Sequence, residues 1–206
     1  MTRDEFVKLV QEECKLHGVR FHRAPDVSIG NPGGECKGWF GTEDDDYTEY
    51  ALSFAGGGSP LVWFPVLVHE FCHMQQWLDN DPTWVKSEKA TETFWDWIEG
   101  TEELSLGEIR KQGLLLLDVE LDCDRRAHSM IKELSLPIDP DWYAKQANAY
   151  VFFYHMVMKH RRWYKIGQEP YNVKKIINIM PIHLRGDHHT ISNKMMKVYG
   201  EALGWQ

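Results

Sequence analysis

Apolar residues recur along this chain at two different spacings, and the spacings mark out its elements. Over residues 3–17, Phe6, Leu9, Val10 and Cys14 fall on one stripe, which predicts an amphipathic helix. Residues 24–46, APDVSIGNPGGECKGWFGTEDDD, carry no such stripe. Their Gly, Pro and Asp predict turns, with short strand pieces near Val27 and Trp39 and a solvated acidic loop at 43–46. From 47 to 56, YTEYALSFAG alternates so that Tyr50, Leu52 and Phe54 face one way, which predicts a strand. GGGSP at 56–60 interrupts the chain. A helix is then expected from between Pro60 and Trp63 through Asp79, its start drawn toward 63 because Pro65 is best tolerated in a first turn.

NDPTW at 80–84 reads as a stop and a restart. Over 84–99, Trp84, Phe94, Trp95 and Ile98 recur at irregular helical spacing. Ser105 and Glu108 form an S-x-x-E capping box. A long helix follows to about Leu134, with Ile109, Gly113, Leu116, Glu120, Cys123, Ala127, Ile131 and Leu134 on its inner stripe. Pro137 and Pro140 end it. An aromatic-heavy helix is expected over 141–164 and a last one near 191–203, after the basic turn PIHLRGDHH. There is no internal repeat and no linker, so a single domain is expected.

Composition narrows the function. The chain has 206 residues with 43% hydrophobic content, enough for a real core. Its net charge of −8 argues against a general nucleic-acid binder. Cys14, Cys36, Cys72 and Cys123 form no C-x-x-C pair, so a cysteine-type structural zinc site is not expected. The longest apolar run, LVWFPVLV at 61–68, is too short for a membrane span. MTRDEFVKLVQEECK lacks a signal-peptide core, and an intracellular, cytoplasmic location is expected.

One stretch breaks the apolar pattern in a telling way. LVHEFCHMQQW, 67–77, places His69, Glu70 and His73 in a segment otherwise suited to a core. Residues i and i+4 lie one turn apart on one helix face, so both imidazoles aim at one point with a carboxylate beside them. This is H-E-x-x-H, the zinc and general-base spacing. Catalytic zinc usually takes three protein ligands and keeps one position for water. The misfit on the 105–134 stripe is Glu120, with Asp124 one turn later. Glu120 would complete a His2Glu site, and Asp124 would accept the outer N–H of a ligand histidine. A rotated helix would offer Asp118 or Asp122 instead.

H-E-x-x-H followed on a later helix by E-x-x-x-D resembles the gluzincin metallopeptidases. The local form Glu120-Leu-Asp-Cys-Asp124-Arg-Arg-Ala127 is similar to the glutamate helix of the compact minigluzincins. The resemblance covers two helices and the strand before the first. It implies one zinc ion held by His69, His73 and Glu120, with Glu70 as base and Asp124 behind the site. It also implies a zincin-like α+β fold, mostly helical: a small N-terminal β-sheet whose edge strand packs on the H-E-x-x-H helix, then a helical half. Residues 47–55 are placed to be that edge strand, where an extended peptide could pair. The stretch between His73 and Glu120 is longer than in the smallest family members, and 80–104 reads as an insertion forming an extra helix. The continuation HMQQWLDNDPTW lacks the third histidine of metzincins.

The resemblance implies peptide-bond hydrolysis of a protein or peptide substrate, with narrow specificity. Glu70 would take a proton from the attacking water and deliver it to the leaving amine. A further donor would steady the oxyanion. Candidates are Tyr150, Tyr154, His155, His183, His188 and His189, with Tyr154 and His155 favoured by their place on the next helix. As plain structure, Tyr150–His155 reads as core, Cys72 and Cys123 as core thiols, and His188-His189 as a solvated pair. The competing function is a non-catalytic zinc-binding or protein-interaction module.

Overall fold

A computed structural model describes residues 1–31, 34–42 and 49–205. The acidic run 43–46 and the first residues of the expected strand lie outside them. The fold is α+β and mostly helical. Helix α1 (Arg3–Leu16) is followed by strands β1 (Arg20–Ala24), β2 (Ile29–Asn31), β3 (Gly34–Cys36), β4 (Gly38–Thr42) and β5 (Tyr50–Ala55). Then come α2 (Pro60–Leu78), α3 (Pro82–Glu99), α4 (Leu106–Glu133), α5 (Pro140–His160), a 3-10 turn at Pro170–Asn172, α6 (Lys174–Ile177) and α7 (Asn193–Leu203). Among the described residues no helix is long and apolar enough to cross a membrane.

The chain groups into two compact units. One holds Met1–Asp79 and Arg126–Asp139; the other holds Asn80–Arg125 and Pro140–Gln206. In the first, the sheet order is β1-β5-β4, with β1 parallel and β4 antiparallel to β5. Strand β5 is therefore central, and the expectation that 47–55 forms the edge is corrected. Tyr50, Leu52 and Phe54 alternate as expected, but Ala51, Ser53 and Ala55 on the other face are buried too. A strand buried on both faces belongs inside a sheet.

Strand β4 is an edge of this sheet, and it packs against α2. Ala55 N–H donates to Lys37 C=O at 2.8 Å, which fixes the ladder. With Trp39 opposite Ser53 and Gly41 opposite Ala51, Gly38, Phe40 and Thr42 direct their backbone groups away from β5. Gly38 lets the strand approach α2: a Cβ there would lie 2.5 Å from Val66 Cγ1 and 3.0 Å from Glu70 Oε1. The helix itself begins at Pro60, capped by Ser59, so Pro65 lies inside it instead of marking its start. Pro65 sits barely beyond the first turn, where it forfeits only one intrahelical bond. Aromatic contacts hold α2 in place. Phe6 of α1 meets Phe64 and Phe71 edge-on at 5.7 and 5.9 Å, and Tyr50 stacks on Trp77 at 4.3 Å.

In the second unit, Asp81 caps α3 and Gly100 ends it in a left-handed conformation at φ 88°. The Ser105–Glu108 box opens α4 with reciprocal bonds of 3.3 and 2.9 Å. Helix α5 stops at His160, short of the expected 164, because Arg161 turns left-handed at φ 48°. Its guanidinium holds the Trp97 and Glu102 carbonyls and the Glu103 carboxylate. Gly113 of α4 faces Met158 of α5, where a Cβ would lie 2.5 Å from the sulfur. An aromatic cluster of Phe94, Tyr150, Phe153, Tyr154 and Trp163 fills this unit's core.

Candidate metal centre

Helix α2 is apolar almost throughout, so its polar residues carry information. Glu70, His73 and Gln76 are buried, and His69 is half-buried. Gln76 Oε1 accepts from His73 Nδ1 at 2.8 Å. The bond fixes the ring's tautomer and leaves the lone pair of the neutral imidazole on Nε2. His73 Nε2 lies 3.1 Å from His69 Nε2, and the two rings stand at 88°. Two nitrogens bound to one tetrahedral zinc at its usual bond length would be about 3.3 Å apart. The pair therefore fits a shared divalent ion. Gln76 escaped the sequence reading; the signal was a polar residue one turn beyond His73 on the buried side.

Glu70 Oε1 lies against Gly38, which puts the edge strand beside the acid. The Cys36 thiol shares this neighbourhood. Burial, and secondarily the Glu70 charge, push its pKa up to about 12, while the Gly38 N–H hydrogen-bonds to it. Gly38 was also missed, although a glycine in a strand pattern signals close backbone approach.

On α4, Glu120 and Cys123 lie one turn apart on the expected stripe. Glu120 Oε1 accepts from Tyr154 at 3.2 Å, and Asp124 Oδ1 accepts from Tyr143 at 2.7 Å. Glu120 and Cys123 belong to the second unit, whereas His69 and His73 belong to the first, and Cys123 is buried as expected of a core thiol.

The remaining candidates are occupied in other ways. Tyr154 is buried, and its hydroxyl serves Glu120. Tyr150 is in hydrogen-bond contact with Tyr154. His155 Nε2 donates to the His188 carbonyl at 2.8 Å. The His188 ring, expected in solvent, is buried, with Nε2 on Asn148 Oδ1 at 2.8 Å and Nδ1 on the Gly186 carbonyl at 3.2 Å. Burial lowers the pKa of both His155 and His188. His189 is the exposed member of its pair, and its Nε2 hydrogen-bonds to Asp118 Oδ1 at 2.6 Å. His183 contributes its carbonyl to Asn148 Nδ2. Comparison of the chain with family models, curated proteins and solved structures found no match.

Proposed function

We propose that this protein is a zinc-dependent peptidase in which His69 and His73 hold the ion and Glu70 is the general base. The observation that carries the reading is the facing Nε2 pair on α2, with His73 locked by Gln76 and a buried carboxylate one residue from His69. A structural site closes four protein ligands around its ion and has no open position beside which a carboxylate such as Glu70 would act. The resemblance to gluzincins supplies the third ligand as Glu120, whose carboxylate is hydrogen-bonded as ligating carboxylates usually are.

A bound zinc ion would supply Lewis acidity, bringing the pKa of a coordinated water to about 7 and polarising the substrate carbonyl. Glu70 would accept the proton of that water as it attacks and pass it to the departing amine. An extended substrate would lie along β4, whose alternate backbone groups are directed away from β5 and whose Gly38 borders Glu70. Neither Tyr154 nor His155 is assigned to the oxyanion, since their polar atoms serve Glu120 and the His188 carbonyl.

A second reading draws on Cys123, which shares the α4 stripe with Glu120. In that reading His69, His73 and Cys123 would hold the ion in a metal-binding module. A thiolate donates more strongly than a carboxylate and leaves the ion a weaker Lewis acid. Peptide cleavage with and without a chelator, for the native chain and for Glu70→Gln, Glu120→Gln and Cys123→Ser, separates the two. The peptidase reading expects chelator-sensitive cleavage lost in Glu70→Gln and Glu120→Gln and retained in Cys123→Ser. Cleavage that survives Glu70→Gln in full contradicts it.

A further inference from the structure

We propose that the cleft between α5 and α7 binds a small organic carboxylate with an apolar body. The cleft lies within the second unit and is independent of the metal reading. Its volume is about 450 Å³, within the range of small-molecule sites. Met156, Met196 and Trp205 supply its apolar lining, and Lys159, His160 and Lys197 its basic groups. Met156 and Trp205 are buried, whereas Lys159 and Lys197 are exposed, so the floor is apolar and the rim is cationic. The turn after α7 places the indole. Gly204 is left-handed at φ 69°, and the Trp205 N–H donates to the Gly200 carbonyl at 2.8 Å. A Cβ on Gly200 would lie 2.7 Å from the Trp205 carbonyl oxygen, so glycine is what admits this return of the chain. Trp205 then packs on Phe153 at 5.5 Å and on His160 at 5.7 Å.

Charge decides the class of ligand. The chain carries a net charge of −8, yet this cleft is positive. The acid that lines it, Glu201, is bound to Lys175 at 2.5 Å and lies 3.9 Å from Lys197. Among the described residues Lys159 has no ion-pair partner. The Arg162 guanidinium lies 6.0 Å from the centre of the Trp205 ring and adds a further positive charge. Burial, and after it the charges of Lys159 and Arg162, lower the pKa of His160. An anion seated here would give Lys159 a counter-charge and share Lys197 with Glu201. An organic carboxylate would lay its body on the indole and the two thioethers, which adapt to varied shapes, and turn its charge to the ammonium groups. A bare inorganic anion would leave the apolar floor unused, and a neutral apolar ligand would leave the rim without its counter-charge.

The test is titration of the full chain with octanoate, followed by NMR through isotope-labelled methionine methyl groups. Met156 and Met196 line the cleft, while the buried Met74 and Met180 lie outside it and serve as controls. Octanoate is expected to shift the Met156 and Met196 methyls saturably and to leave Met74 and Met180 in place. Octanol has the same body without the charge, and acetate has the charge without the body. Each should bind at least about tenfold more weakly than octanoate. Lys159→Glu should weaken octanoate about tenfold, and Lys197→Gln should weaken it less; both changes are at exposed positions and leave the fold intact. The absence of a saturable shift at Met156 and Met196 overturns the proposal, and so does a shift of all four methionines together. Octanol binding as tightly as octanoate, or native octanoate affinity in both lysine variants, overturns it as well.

Discussion

Helix α2 and the α5–tail region each hold a pair of histidines away from full exposure, and they use them in opposite ways. In the tail region the two rings meet oxygens: His155 the His188 carbonyl, His188 the Asn148 side chain and the Gly186 carbonyl. His155 and His188 each donate from Nε2, to the His188 carbonyl and to Asn148 Oδ1, and so tie residue 188 to α5. On α2 one ring nitrogen ends on Gln76, and the other meets the nitrogen of a second imidazole. Two neutral imidazoles placed Nε2 to Nε2 share at most one proton, whereas a divalent ion satisfies both. Burial alone therefore does not identify a ligand histidine; the partner of the second nitrogen does.

The sharpest way to break this comparison is to remove one ring from each region. His73→Ala is expected to abolish both stoichiometric metal and peptide cleavage. His188→Ala is expected to keep metal content native while costing about 1–3 kcal/mol of stability, because Asn148 Oδ1 stays buried without its donor. Metal analysis and thermal melts of the two variants check the contrast. Next in size is Glu70→Gln, which should bind zinc normally and lower kcat by at least about a hundredfold, measured on any cleaved peptide. Gln76→Leu probes the tautomer lock, and zinc affinity should fall about ten- to a hundredfold in a competition titration.

The tail pair also makes a pH prediction. His155 and His188 have native pKa values below the ordinary imidazole value, chiefly through burial. As pH falls through that ordinary value, near 6.5, the unfolded chain takes up protons that the native chain refuses. Stability is then lost on acidification and fully present above that pH. Melting temperatures between pH 8 and 5.5 should fall, and His155→Gln should flatten the fall. The smallest effect expected is Arg126→Ala. Its 2.6 Å bridge to Asp79 is largely solvated, and the change should cost about 1 kcal/mol or less, read from denaturant midpoints.

What was legible in the sequence is what local periodicity encodes. The helix that carries His69 and His73, the Ser105–Glu108 cap and the α4 stripe are each written within a turn or two of chain, and the structure has all three. The sheet order was not legible, because β1 reaches β5 in parallel from far upstream and nothing near 50–55 announces that partner. His188 read as solvated for the same reason: its burial depends on Asn148, forty residues earlier. Gln76 and Gly38 matter through what they touch, not through a motif. Residue type alone could not rank Cys123 against Glu120, since both project from one face of α4.

Elemental analysis of the native protein beside His69→Ala tests the central claim most directly. The account predicts close to one zinc per chain in the native protein and almost none in the folded variant. Native protein without bound metal after growth in zinc, or equal metal in both, contradicts it.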